Sequence, residues 1–163
     1  PCQIIGCTSG TVGSPGELKG RCLSTHALGS LCINGDTGVY GTTRTSFAGE
    51  QMELAFAQEV VPGDAEIWAT TEGETPQRYR VRIERVNDAD PHRNMILCVV
   101  DQRLLQKTGG IVQGMSGSPI VQNGRLVGAV THVLVKDPTR GYGIFAQTML
   151  EQARQVQKQN VSA

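Results

Sequence analysis

The sequence predicts an all-β domain that ends in one helix, and three observations lead to this prediction. The chain of 163 residues contains 20 glycines and only 4% aromatic residues, a composition typical of strands joined by tight turns. Short apolar runs recur along the chain with turn residues between them. From Gln147 to about Lys158, good helix formers follow one another without Gly or Pro, which predicts a C-terminal helix. This pattern alone does not separate a sandwich from a barrel.

Two runs in the middle of the chain predict a hairpin, and a third predicts a central strand. In residues 78–86, apolar and charged residues alternate as in a half-buried antiparallel strand. Residues 65–70 have a similar make-up, and Glu72-Gly73-Glu74 lies between the two runs, so we expect the runs to pair. Residues 95–100 form a continuous apolar run of strand length.

A second hairpin follows closer to the C-terminus. Asn123-Gly124 separates the strand-like residues 118–122 from the run 125–135, and Asn-Gly between such runs is the strongest short-range hairpin signal. Residues 137–141 are predicted to turn the chain into a last strand, Tyr142 to Phe145.

The charge balance argues against two classes of function. Fifteen basic and fifteen acidic side chains cancel, and they are scattered, without the basic stripe that a nucleic-acid binder needs. No apolar run approaches the ~20 residues of a membrane-spanning helix.

The first residue is Pro1 rather than Met, so we expect the chain to be a processed or truncated piece of a longer protein.

The five cysteines cannot all pair within one chain, because their number is odd. They lack the close spacing of zinc ligands, and the sequence favours small buried thiols over a metal site. No metal or organic cofactor is therefore expected. The cysteines are Cys2, Cys7, Cys22, Cys32 and Cys98.

The run 114–119, Gly-Met-Ser-Gly-Ser-Pro, has the form G-x-S-G-x-P and suits acyl-transfer chemistry. A serine hydroxyl becomes a good nucleophile when a base takes its proton, and the oxyanion formed on attack needs backbone N–H donors. Glycines on both sides of Ser116 allow the N–H groups of Gly114 and Ser116, with Met115 between them, to converge on one point. The sequence therefore indicates Ser116 as a nucleophile.

A Gly/Ser-rich turn between two strands is the structural alternative for this run. The hairpin around Asn123-Gly124 favours the functional interpretation, because it supplies a strand edge on which a peptide could lie. Residues 126–135 are the candidate edge, and Thr131, His132 and Val133 are the expected contacts with the substrate.

Three histidines are candidates for the base. His92 lies in a polar loop, where a solvated surface role is the expectation, and His132 lies in a predicted strand, where a wall or core position is the default. His26 lies between a strand-like run and a glycine turn, beside small residues. Because catalytic groups often stand on such loops, the residue pattern favours His26 without excluding the other two.

Residues 101–150 closely resemble the SpoIVB peptidase family, the serine peptidases of spore-forming bacteria. The resemblance is carried by the run Asp-Gln-Arg-Leu-Leu-Gln-Lys-Thr-Gly-Gly-Ile-Val-Gln-Gly-Met-Ser-Gly-Ser-Pro-Ile from residue 101, and by Gly-Ala-Val-Thr-His-Val and Arg-Gly-Tyr-Gly-Ile-Phe. It extends more weakly to about residue 15. There, His26-Ala27-Leu28-Gly29 and Asp36-Thr37-Gly38 resemble the family's G-H-x-I…D-T-G pattern.

The resemblance implies a compact chymotrypsin-like double β-barrel that occupies the whole chain, with a triad in the order His, Asp, Ser. It makes His26 the general base, Asp101 the acid that orients it and Ser116 the nucleophile. Asp36 is the alternative acid. The sequence departs from the family pattern in two places, because Thr25 precedes His26 where the family has glycine, and Cys22 and Cys32 flank the site.

The resemblance also implies a biological role. Proteases of this kind act outside the cytoplasm, and the best-known member is secreted from the forespore into the intermembrane space. That member cleaves itself and a regulator of a membrane metalloprotease, which releases processing of a sporulation sigma factor. A signal segment and a PDZ domain would lie upstream of this chain.

Two other classes of function remain open from the sequence. One is an inactive protease fold that binds a partner's strand without cutting it. The other is a cysteine-based metal or redox domain.

Overall fold

A computed structural model of the chain describes residues 2–46, 49 and 51–161. Over these residues the chain forms strands and two α-helices, with one 3-10 turn at Ala57–Glu59. The strands are β1 (Cys2–Thr8), β2 (Glu17–Cys22), β3 (Gly29–Gly35), β4 (Gly38–Thr43), β5 (Gly63–Ala69), β6 (Gln77–Val86), β7 (Met95–Val99), β8 (Pro119–Gln122), β9 (Arg125–Leu134) and β10 (Asp137–Phe145). The helices are α1 (Gln102–Thr108) and α2 (Ala146–Val161).

Six antiparallel strands close into a barrel in the order β10-β7-β6-β5-β8-β9. The alternating sequence of β6 gives this strand one face toward the barrel core and one toward solvent. Tyr79, Val81 and Ile83 are buried, while most of the charged residues beside them are exposed. The barrel is filled by such alternate side chains. Fully buried examples are Ile67, Ile83, Met95, Leu97 and Ile120.

The predicted hairpins are confirmed. β5 pairs with β6 along its whole length, and β8 pairs with β9. Asn123 and Gly124 both have positive φ, 52° and 76°, as a type I′ turn requires. Asn123 adopts this conformation at low cost because its side chain tolerates the left-handed region.

The last strand begins earlier than the sequence predicts. Residues 137–141 were expected to form a turn, but β10 already starts at Asp137. Residues 138–140 bulge out of register with β9, while Arg140 pairs with Cys98 of β7. Arg140 also binds Glu84 and Asp137, and these contacts hold the bulged segment in the sheet.

The N-terminal part does not form a second barrel in the described residues. It consists of two separate two-stranded sheets, β1-β2 and β3-β4. The all-β, chymotrypsin-like class is confirmed, but a double barrel is not observed, since two hairpins without mutual strand pairing cannot close. Their apolar side chains are correspondingly exposed, as at Ile5, Leu31 and Val39.

The local sequence explains where both helices form. The predicted C-terminal helix is confirmed as α2. α1 was not predicted, although Asp101 caps its N-terminus through the N–H of Arg103 and Gly109 ends it with φ 74°, the usual start and stop residues of a helix. Within the described ranges, neither helix is long and apolar enough to span a membrane.

Candidate active site

Ser116 lies in a glycine-rich loop between α1 and β8. Gly114 and Gly117 have φ of 95° and 88°, a region that favours glycine, and the loop turns sharply on both sides of the serine. The side chain of Ser116 is exposed. Its Oγ donates a hydrogen bond of 2.7 Å to the carbonyl oxygen of Thr131 on β9.

The backbone of this loop offers two unused donors. The N–H groups of Gly114 and Ser116 make no hydrogen bond within the described part of the chain, whereas the N–H of Met115 donates to the carbonyl of Val112 at 3.1 Å. The side chain of Met115 is buried and anchors the loop. An oxyanion hole needs N–H donors that no other acceptor occupies, and these two N–H groups meet that condition.

The β1-β2 hairpin supports the loop from one side. Gln113 donates to Gly16 at 2.9 Å and accepts from Leu18 at 2.8 Å, so the start of β2 runs parallel to the loop. A Cβ on Gly114 would lie 3.1 Å from the Cβ of Leu18. Sequence reasoning missed this support, because no local pattern links residues so far apart in the chain.

A cavity of about 320 Å³ lies between the hairpin and the barrel, beside the loop. Trp68, Ala69 and Thr70 of the β5 end line one side, and Cys2 and Ile4 of β1 line the other. Gly114 and Met115 are also part of the lining. The cavity is open, and Gly117, Ser118 and Pro119 complete its lining on the side of the loop.

Only part of the predicted peptide-binding edge, residues 126–135, is free of strand pairing on the side that faces the loop. β9 pairs with β8 through residues 125–129 and with β10 through most of its length, and Val130 still bonds Gly117 and Ser118. In the described chain, the side of β9 that faces the loop therefore becomes free only at Thr131. There, His132 is exposed, and Thr131 and Val133 are half-buried.

The three histidines lie in different environments. His26 is exposed in the loop between β2 and β3, where its Nδ1 and its backbone N–H both contact Ser24 Oγ, at 3.3 and 3.1 Å. His92 is half-buried before β7, with Nδ1 buried and unpartnered, and His132 is exposed on β9. Over the described residues, no hydrogen bond joins any of the three to Ser116.

Asp101 is buried, with 3% exposure, and its carboxylate is fully engaged. It accepts hydrogen bonds from the N–H of Arg80 and from the backbone and guanidinium of Arg103, at 2.9 to 3.2 Å. The Arg103 side chain is the main reason why the pKa of Asp101 lies well below its usual range, and the backbone donors add to the effect. Asp36 is exposed in the turn between β3 and β4. Neither carboxylate contacts His26 among the described side chains.

The cysteines are not uniformly buried thiols. Cys7 and Cys98 are half-buried, and burial raises the pKa of both. The buried interpretation is wrong for Cys2, Cys22 and Cys32, which are exposed. No disulfide joins the five residues, and the described part of the chain contains no group of three or more His, Cys, Asp or Glu side chains that could hold a metal ion.

Comparison with known proteins gives one finding. A family model described as SpoIVB peptidase S55 matches residues 1–150 of the chain. Comparison with curated proteins gave no match. The matched range includes the loop of Ser116, the β9 edge, His26 and both candidate carboxylates.

Proposed function

Because the chain belongs to the SpoIVB peptidase S55 family, a family of serine peptidases, we propose that it is a serine endopeptidase with Ser116 as its nucleophile. The observation that carries the proposal is the pair of unused N–H groups of Gly114 and Ser116 on either side of Met115. Both residues are exposed, so water can satisfy the two donors until a substrate oxygen replaces it.

In the proposed reaction, Ser116 Oγ attacks the carbonyl carbon of the scissile peptide bond. His26 takes the hydroxyl proton and delivers it to the leaving amine, and water then hydrolyses the acyl-enzyme with His26 again as base. The N–H groups of Gly114 and Ser116 stabilise both tetrahedral intermediates. The N–H of Met115 is excluded from this role because Val112 accepts it.

This mechanism requires a rearrangement around Ser116. Its Oγ–H now donates to Thr131, and the imidazole of His26 contacts Ser24. For proton transfer, the ring must come within about 2.6–3.2 Å of Ser116 Oγ. The exposure of the His26 loop supports such a movement, and we propose that a bound substrate triggers it by competing for the Thr131 carbonyl.

We propose Asp101 as the acid that orients His26, as the family resemblance implies. Its carboxylate would then have to exchange an Arg103 hydrogen bond for one from the imidazole. Asp36 is the alternative, because it is exposed and follows the His26 loop closely in the chain. Asp101→Asn and Asp36→Asn, compared for reaction of Ser116 with a fluorophosphonate, separate the two. The true acid's variant should lose reactivity while the other keeps most of it.

The substrate is proposed to bind as an added strand on the free edge of β9. The pairing of β8 with β9 ends at Ala129, and the next free stretch, Thr131, His132 and Val133, begins beside Ser116, an arrangement that fits recognition of an extended peptide. The proposed substrates are the chain's own longer form and a protein regulator of a membrane metalloprotease, cut to trigger sigma-factor processing. The proposed location is extracytoplasmic, with a PDZ domain upstream.

A binding module that does not cut its partner is the second candidate. It is favoured by the hydrogen bond of Ser116 to a carbonyl rather than to a base. Incubation with casein, and with a form of the chain extended upstream, distinguishes the two. A peptidase cleaves at least one of them and Ser116→Ala cleaves neither, whereas Ser118→Ala, which changes the other serine of the loop, remains active. Equal cleavage by Ser116→Ala and the unchanged chain would disprove the nucleophile assignment.

A further inference from the structure

Two exposed cysteines face each other across the β1-β2 hairpin. Cys2 and Cys22 are directly opposed in the antiparallel register. The neighbouring pair, Gln3 and Arg21, points to the other face and is joined by a hydrogen bond of 3.0 Å. This hydrogen bond between Arg21 and Gln3 fits the strand register that places Cys2 opposite Cys22. The two thiols therefore share one face of a short, two-stranded sheet.

The geometry of this pair suits a disulfide. Opposed residues of an antiparallel pair have Cα atoms roughly 4.5–5.5 Å apart, which lies within the roughly 4.4–6.8 Å that disulfides span. The sulfur of Cys2 now lies over Gly20, at 2.9 Å from the position of an added Cβ. Because Gly20 has no side chain, this face of β2 leaves the Cys2 sulfur room to rotate toward Cys22.

We propose that Cys2 and Cys22 form a redox-responsive pair that closes to a disulfide and fixes the wall of the cavity beside Ser116. The oxidant is a small-molecule disulfide. One cysteine thiolate attacks it to form a mixed disulfide and releases one thiol, and the second cysteine thiolate then displaces the other. The protein loses two electrons and two protons, and the oxidant is reduced to two thiols.

The other cysteines do not compete for either partner. Cys7 and Cys98 are half-buried, and burial disfavours their reactive thiolate forms. Cys32 lies on β3, in the separate β3-β4 sheet. Its neighbours in the chain, Leu31 and Ile33, pair with Gly41 and Tyr40 of β4. The opposed pair is thus the one that local strand geometry brings together.

Closure of the pair would affect the nucleophile loop through β2. Leu18 and Gly16, at the other end of this strand, hold Gln113 by two backbone hydrogen bonds, and Cys2 itself lines the cavity. A cross-link between the strands restricts opening of the hairpin. The same restriction then holds the loop of residues 113–117. This inference concerns the hairpin and stands independently of the proposed peptidase activity.

The first test maps the thiols. The purified chain is equilibrated with oxidised or reduced glutathione, alkylated, digested and analysed by mass spectrometry. We expect a Cys2–Cys22 linked peptide after oxidation, also in Cys32→Ser as the matched control, and its loss in Cys22→Ser. Alkylation of both residues after oxidation, stable glutathione adducts on both, or links to another cysteine would overturn the proposal.

The second test measures backbone opening by hydrogen exchange in the oxidised and reduced chain. The amides of Leu18 and Gln113, whose hydrogen bonds hold the hairpin to the loop, should become about 5- to 30-fold better protected on oxidation, as expected for a modest gain in local stability. Cys2→Ser should show no difference between the two treatments. A disulfide that forms without any change in the exchange of the Gln113 amide would refute the link to the loop of Ser116.

Discussion

Gly114→Ala is the change that tests the proposed oxyanion donors. Gly114 has φ of 95°, and a methyl group there would stand 3.1 Å from the Cβ of Leu18, closer than the ~3.5–4.0 Å optimum for two carbon atoms. The left-handed backbone alone costs an alanine about 1–2 kcal/mol. Together, strain and contact should lower the free energy of unfolding by about 1–3 kcal/mol.

The effect on reactivity should be larger than the effect on stability. We expect the backbone to rotate at residue 114 to relieve the strain and the contact with Leu18, and such a rotation would displace the N–H of residue 114 from its present position. Loss of one oxyanion donor typically lowers the rate about 10²–10³-fold. We therefore expect the reaction of Ser116 with a fluorophosphonate to slow by about this factor in Gly114→Ala.

Gly117→Ala is the matched control. Its φ of 88° imposes a similar strain, but an added Cβ meets no atom within 4 Å, and its N–H donates to Val130 rather than into the site. It should lose about 1–2 kcal/mol of stability and keep its reaction rate to within about tenfold. Equal rates for Gly114→Ala and the unchanged chain, or equal losses in both variants, would refute the assignment of the donors.

Two further predictions concern stability, and urea denaturation tests both. Because the folded-state pKa of Asp101 is depressed, the stabilisation it supplies is present above its unfolded pKa of about 3.9 and is lost as the pH falls below that value. Asp101→Asn should thus be less stable at neutral pH and should lose less on acidification; parallel pH profiles would contradict this. Ile67→Ala, in the barrel core, should cost about 2–5 kcal/mol, whereas Leu31→Ala, at a side chain 64% exposed, should change stability by about 0.5 kcal/mol or less. Similar losses in both would contradict the closed barrel.

The C-terminal half of the fold was predictable because its signals are local. The alternation in β6 and the Asn123-Gly124 turn each depend on a few neighbouring residues, and both appear as expected. α1 also had local signals, Asp101 at its start and Gly109 at its end, but its seven residues are too few to show a helical repeat.

The N-terminal half was harder to predict because distant contacts determine it. The parallel pairing of Glu17 with Gln113 has no counterpart in any short pattern, and neither does the hydrogen bond from Ser116 to Thr131. By contrast, the motif alone was enough to identify Ser116 and the glycines around it from the sequence. The hydrogen bonds of His26 with Ser24 and of Asp101 with Arg103 are local, but the bond from the Arg80 N–H to Asp101 depends on how distant segments pack, which residue spacing does not encode.

Reaction with a fluorophosphonate probe, followed by mass spectrometry of the labelled peptide, tests the central claim most directly. If Ser116 is an activated nucleophile, one adduct forms on Ser116 in the unchanged chain and in Ser118→Ala. The adduct is absent in Ser116→Ala, and its rate of formation falls by about 10²-fold or more in His26→Ala. Labelling of a different serine, or labelling of Ser116 at the same rate without His26, would contradict the account.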